Sequence, residues 1–137
     1  MSEFDAFVGI PYADRGRARD GCDCYGLLRL VMAELRGVDL PAFSGAYVTT
    51  ADRAALAGLI AGEIAPWQPV ALGEERAFDG VLLRHGRALS HIGLVVMPGR
   101  MLHVSEGGAS CIESYRAPPW SHRLAGIFRY RSLLPCS

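Results

Sequence analysis

Apolar residues follow two different rhythms in the two parts of this chain. Early on they recur at spacings of three and four: Leu27, Leu28, Val31 and Leu35 stack on one side of a helix that Gly37 stops. Ahead of it, Phe4, Phe7 and Val8 predict a short helix capped by Ser2 and broken at Gly9-Ile-Pro-Tyr12, because a residue before proline avoids helical geometry. Thr50 offers the cap of a further helix, with Leu56, Leu59 and Ile60 as its buried stripe and Gly62 near its end. Beyond Ala77 the rhythm changes to short β runs at 80–84, 91–96, 100–105, 109–113 and 126–130, divided by glycine and proline turns. The polar stretch 13–21, the turn-rich stretch from Val38 to Pro41 and Pro66-Trp-Gln-Pro69 read as connections. Five short strands joined by tight turns favour an antiparallel meander. The expected fold class is therefore α+β, with two or three helices followed by a five-stranded antiparallel sheet on which the Cys24 helix packs. With 137 residues and no internal repeat or low-complexity linker, a single domain over 1–137 is expected.

Composition narrows the function classes. Charges balance to a formal net of zero, and all 14 basic residues are arginine, scattered except around Arg15, Arg17 and Arg19. Such a chain has no stripe suited to nucleic acid. Its start carries acidic residues and no long apolar run, so no signal peptide and no membrane span are expected, and synthesis in the cytoplasm follows. In that compartment Cys22, Cys24, Cys111 and Cys136 read as thiols. Cys22-Asp-Cys24 spaces its cysteines too closely for a structural zinc site and has no second pair, so no metal and no cofactor are expected.

Chemistry enters where the helix begins. With Asp23 as N-cap, Cys24 falls in the first turn, where unpaired amide N–H groups and the positive end of the helix dipole favour a thiolate. A lone cysteine near a helix start is more often a small core residue than a nucleophile, so the rest of the chain has to supply the case for catalysis. His91 and His103 lie on either side of Met97-Pro-Gly99. If those three residues form the hairpin loop, His91 faces Ser105 and the two histidines become diagonal neighbours on one face, roughly 7–8 Å apart at the backbone. A two-residue loop, Pro98-Gly99, puts them on opposite faces, because a one-residue slip inverts every side chain. On one face they supply, with Cys24, the nucleophile, base and orienting group of a thiol hydrolase. His85 and His122 occupy turn-like, solvated settings.

Three segments, in order, resemble the NlpC-type cell-wall cysteine peptidases of the papain-like superfamily: Gly9-Ile-Pro-Tyr12, Gly21-Cys-Asp-Cys-Tyr-Gly-Leu-Leu28, and Ser90-His-Ile-Gly-Leu-Val-Val96 with Met101-Leu-His-Val104. Asp79-Gly80 is similar to that family's acidic turn before a strand. The resemblance covers about Phe4 to Arg131. It implies a papain-like fold and peptidoglycan as partner and substrate, with hydrolysis of stem-peptide amide bonds, typically between γ-linked D-glutamate and diaminopimelate. Carried over by position, Cys24 is nucleophile, His91 base and His103 the third polar member. Tyr12 matches a tyrosine beside the nucleophile that helps stabilise the oxyanion, and Asp23 an aspartate associated with the substrate's free amino group, alongside its role as cap. Tyr25 replaces the usual serine after the nucleophile, and Ala13-Asp-Arg-Gly16 the usual residues after Pro-Tyr, so both border the substrate groove in this resemblance. An aromatic residue after the nucleophile resembles the branch found with phage tails and gene-transfer agents. That implies tail hub or tip proteins as partners, incorporation into a virion or virion-like tail, and action in the periplasm. The other readings are a catalytically silent tail assembly protein on the same fold, and a thiol acyltransferase or amidase. Cys22 reads either as a protective partner for the nucleophile or as inert.

Overall fold

The computed structural model describes residues 3–13, 17–18, 20–38, 67–85, 88–105 and 107–130. The expected Thr50 helix, the Ser2 cap and Cys136 lie outside them. A 3-10 turn, Glu3–Phe7, buries Phe4 and Phe7. A small antiparallel ribbon follows, β1 (Arg17–Ala18) with β2 (Gly21–Cys22), and leads directly into helix α1 (Cys24–Arg36).

Both ends of α1 are chemically specified. Asp23 is extended at the N-cap and its Oδ1 accepts from the Gly26 N–H at 2.6 Å, satisfying one of the orphan donors of the first turn. Gly37 takes the left-handed conformation (φ 65°) and its N–H returns to Ala33 O, while Val38 N–H bonds Met32 O. That closes the last turn in the geometry glycine favours. Leu27, Leu28, Val31 and Met32 are buried, and Leu35 is half-buried.

Among the described residues the sheet has six antiparallel strands rather than five: β3 (Trp67–Val70), β4 (Gly80–His85), β5 (Ala88–Met97), β6 (Arg100–His103), β7 (Cys111–Ser114) and β8 (Leu124–Tyr130). Their order is β3-β8-β4-β5-β6-β7. Two expectations are corrected here. Residues 67–70, read as a connection because of their prolines, form an edge strand paired with β8. At an edge the missing N–H of Pro69 can face solvent without breaking a ladder. The meander also ends at β7, since β8 returns across the sheet to lie between β3 and β4. Asp79 helps hold that return: Arg129 on β8 donates to both of its carboxylate oxygens, at 2.8 and 2.9 Å, and the Arg76 N–H to Oδ2. The stretch 13–21, expected to be wholly loop, contributes the β1–β2 ribbon.

Strand alternation divides the core in two. Leu82, Ile92, Leu94, Leu102 and Val104 pack with α1 and the N-terminal phenylalanines. Val81, Leu83, Val95, Met101, Tyr115 and Ile127 form a second cluster on the other face. α1 packs chiefly against β5.

Candidate active site

A backbone strap fixes where α1 begins. Gly9 N–H bonds Ser110 O at 2.9 Å, Ser110 N–H bonds Ile10 O at 2.8 Å, and Tyr12 N–H bonds Gly108 O at 3.0 Å. The Ser110 side chain adds a bond from Ile10 N–H at 2.8 Å. On its other side the same strap pairs with β2, through Cys22 N–H to Pro11 O and Ala13 N–H to Cys22 O, both 3.1 Å. Gly21 is required for this closeness, since a Cβ there would lie 2.8 Å from Ala13 Cβ. Tyr12, Asp23 and Cys24 are thus anchored together and tied to the segment that follows β6. Cys24 is 8 % exposed, and Asp23 is buried in its capping role. Tyr25 is fully buried within the helix-side core, which makes it a packing residue rather than one that borders a groove.

The histidine pair is assembled by a hairpin that turns as the two-residue loop would at its tip but keeps, beyond it, the register expected of the three-residue loop. Met97 faces Arg100, so the loop is the two-residue Pro98-Gly99; one step further in, Val95 faces Met101 and Leu94 faces Leu102. A bulge at Val96 has inserted one residue and restored the parity that the short loop inverts. His91 and His103 consequently share a face, and His91 Nε2 meets His103 Nδ1 at 2.8 Å. Gly93 sits opposite His103 in this register. A Cβ on it would lie 2.8 Å from Met101 Sδ and 3.4 Å from His103 Cβ, so the close approach needs glycine.

The chain of polar contacts continues past the histidines. His103 faces Cys111 across β6–β7, and Glu113 follows on the same face. His103 Nε2 lies 2.7 Å from Glu113 Oε2, and the Trp120 indole N–H donates to that same oxygen at 2.5 Å. The Trp120 ring stacks on His91, with centroids 5.3 Å apart and planes 19° from parallel, and meets His103 edge-on at 4.8 Å.

These contacts assign the protons. Glu113 Oε2 accepts from an indole N–H, which can only donate, so His103 Nε2 beside it carries the hydrogen. Neutral His103 then accepts at Nδ1, His91 donates from Nε2, and the lone pair of His91 stands on Nδ1. Burial holds His103 below its usual pKa, against the opposing pull of Glu113, which favours this neutral form. Burial, with Asp23 and Cys24 nearby, pushes Cys22 up to about 11, which favours its protonated thiol form. Burial and Glu113 raise Cys111 as well.

Sequence reading missed Glu113 and Trp120. Only the alternation Cys111-Ile-Glu113 pointed toward the first, and the loop between β6 and β7 hid the register. Trp120 arrives from a 3-10 turn, Trp120–His122, with no periodicity to mark it. His122 is exposed, as expected.

A cysteine at a helix start on an antiparallel sheet that carries a bonded histidine pair defines the papain-like class of α+β domains. More specifically, the chain belongs to the NlpC/P60 family, whose sequence pattern residues 9–129 match. Members of this family are cysteine peptidases or amidases that hydrolyse peptidoglycan. The chain is 25 % identical over 134 residues to a γ-DL-glutamyl hydrolase of Bacillus subtilis, covering 97 % of this chain and 29 % of that protein's length. An NlpC/P60 family protein of Bacillus cereus superposes with a TM-score of 0.67 at 20 % identity, over 90 % of this chain and 36 % of the other. The NlpC/p60 domain of the peptidoglycan hydrolase SagA gives 0.58 at 18 % identity, over 90 % and 88 %.

Proposed function

We propose that this chain is a peptidoglycan endopeptidase that cleaves a stem-peptide amide bond by thiol catalysis. The observation that carries the reading is the hydrogen-bonded series His91–His103–Glu113, which leaves a basic Nδ1 on His91, borne by the strand against which the Cys24 helix packs. In this mechanism the Cys24 thiol gives its proton to His91 Nδ1 and the thiolate attacks the scissile carbonyl carbon. The oxyanion is met by the Cys24 backbone N–H and the Tyr12 hydroxyl. His91 Nδ1–H then protonates the departing amine, leaving a thioester on Cys24. Water, deprotonated by the same nitrogen, releases the acid and restores the thiol. His103 and Glu113 orient His91 and stabilise its imidazolium. Trp120 covers the ring.

The scissile bond in this reading joins γ-D-glutamate to diaminopimelate, with Asp23 beside the substrate's free amine. The Bacillus subtilis relative named for γ-DL-glutamyl hydrolysis supports the choice. Tyr25 after the nucleophile supports delivery by a phage-like tail to the periplasmic face of the wall.

The test is incubation of reduced protein with diaminopimelate muropeptides beside its Cys24→Ala variant, with products read by mass spectrometry. Cleavage by the unsubstituted protein alone is expected. No cleavage, or cleavage that persists in Cys24→Ala, overturns the reading. Transfer of the acyl group to an acceptor other than water identifies an acyltransferase.

A further inference from the structure

We infer that His103, Cys111 and Glu113 form a binding site for zinc or a divalent ion of similar softness, and that its occupation silences His91. The site stands on geometry alone. The silencing rests on the peptidase reading above.

The three residues belong to two directly paired strands. His103 faces Cys111, and Glu113 is two residues further along the same face. Cys111 Sγ lies 3.9 Å from His103 Nε2, Glu113 Oε2 lies 2.7 Å from it, and the three donor atoms are all within 4.8 Å of one another. A tetrahedral zinc ion with bonds of about 2.0–2.3 Å holds its ligands roughly 3.3–3.5 Å apart, so the existing set needs shifts of only about 1 Å. Glu113 can supply them, because its side chain is 45 % exposed while His103 is held in the sheet. One imidazole, one thiolate and one carboxylate form a donor set suited to zinc, and the exposed side leaves a fourth position for water.

Binding has a definite consequence for protons. The metal needs the lone pair of His103 Nε2, which now carries a hydrogen donated toward Glu113. That Nε2 proton leaves to solvent, and His103 Nδ1 takes the hydrogen that His91 Nε2 had donated to it. His91 Nδ1 takes up a proton from solvent in turn. Both rings stay neutral, and the net proton released comes from the Cys111 thiol. The lone pair of His91 is then on Nε2, bound by His103 Nδ1–H, and its Nδ1 can no longer accept a proton from Cys24. A metal at the far end of the series therefore switches off the base without touching the nucleophile.

Cobalt(II) substitutes for zinc and reports thiolate ligation by an intense near-ultraviolet charge-transfer band. Titrating cobalt(II) into the reduced Cys24→Ala protein is expected to produce that band together with tetrahedral visible absorption. Adding Cys111→Ser, with the fold checked by circular dichroism, is expected to abolish the charge-transfer band. Glu113→Gln, at an exposed position, is expected to lower cobalt affinity by at least the roughly tenfold that losing even an outer-shell partner of a metal costs. Absence of the band while Cys111 is intact, or its survival after Cys111→Ser, overturns the site. In the protein with Cys24 present, zinc is expected to lower muropeptide cleavage more than tenfold relative to the metal-free rate, reversibly with chelator. Cys111→Ser, compared with its own metal-free rate, resists. Cobalt binding with no effect of zinc on the rate overturns the silencing alone. If the protein never cleaves muropeptides, the peptidase reading fails, and the cobalt titration decides the site by itself.

Discussion

Glu113 determines which nitrogen of His91 is basic, although it touches neither His91 nor Cys24 in any contact described above. Its oxygen fixes the hydrogen on His103 Nε2, and the hydrogen-bond series carries that choice to His91 Nδ1. Replacing it should therefore slow catalysis by changing orientation and tautomer. Glu113→Gln keeps an acceptor oxygen and is expected to retain most of the rate. Glu113→Ala is expected to lose more, and to broaden the pH–rate profile as the His91 tautomers mix. Both fall short of His91→Ala, where loss of the general base costs about 10²–10⁴-fold. Steady-state kcat on muropeptides across pH checks this ordering, and a Glu113→Ala enzyme with unaltered rate and profile would remove Glu113 from the mechanism.

The β5–β6 hairpin shows how an element can reverse what a loop length implies. Its two-residue turn alone inverts the face of every residue beyond it, and the single inserted residue at Val96 inverts it back. Gly93 completes the arrangement by leaving room for Met101 and His103. Gly93→Ala is accordingly expected to destabilise the fold by about 1–3 kcal/mol, as overpacking of a tight interior does. A fall in the urea midpoint at unchanged slope measures it. The thioether end of Met101 can move aside, but Met101 Cβ, at 3.3 Å, cannot without shifting β6. Unaltered stability would mean that β6 is looser than this packing implies.

Across the molecule, the central strands β4, β5 and β6 are buried on both faces, and polar groups enclosed beside them must be satisfied. Glu75 is the clearest case. Burial pushes its pKa up, but the Tyr115 hydroxyl, the Arg116 guanidinium and the Gly73 N–H together outweigh it and bring the carboxyl down to about 2. Tyr115 in turn accepts from Gly99 N–H at the hairpin turn, so one carboxylate ties three loops together. Folding therefore favours ionised Glu75, and the associated stability is complete above its ordinary 4.5 and is lost as pH falls toward about 2. His103 acts in the same direction at higher pH. Its folded pKa lies below the ordinary 6.5, so the fold favours the neutral ring and stability declines as pH drops below that value. Melting temperature measured from pH 8 to pH 2 is expected to fall in two stages, and Glu75→Gln to remove the lower one. Persistence of the acid stage in Glu75→Gln would assign it to other carboxylates.

What the amino-acid order settled by itself was local. Spacing and capping chemistry gave α1 its start at Cys24 and its stop at Gly37, because caps and apolar stripes act within one or two turns. Alternating apolar runs marked most of the strands for the same reason. Partnership between strands was decided only in three dimensions. The place of β8 and the edge strand at 67–70 depend on pairings between segments far apart in the chain, and the meeting of His103 with Cys111 and Glu113 depends on the register across the loop between β6 and β7. Trp120 reaches the histidines from a short 3-10 turn that no periodicity announces. Even the histidine pair, close in sequence, waited on a bulge that compensates for its own turn. Local propensity acts over a few residues, whereas register is set by the burial of both sheet faces at once.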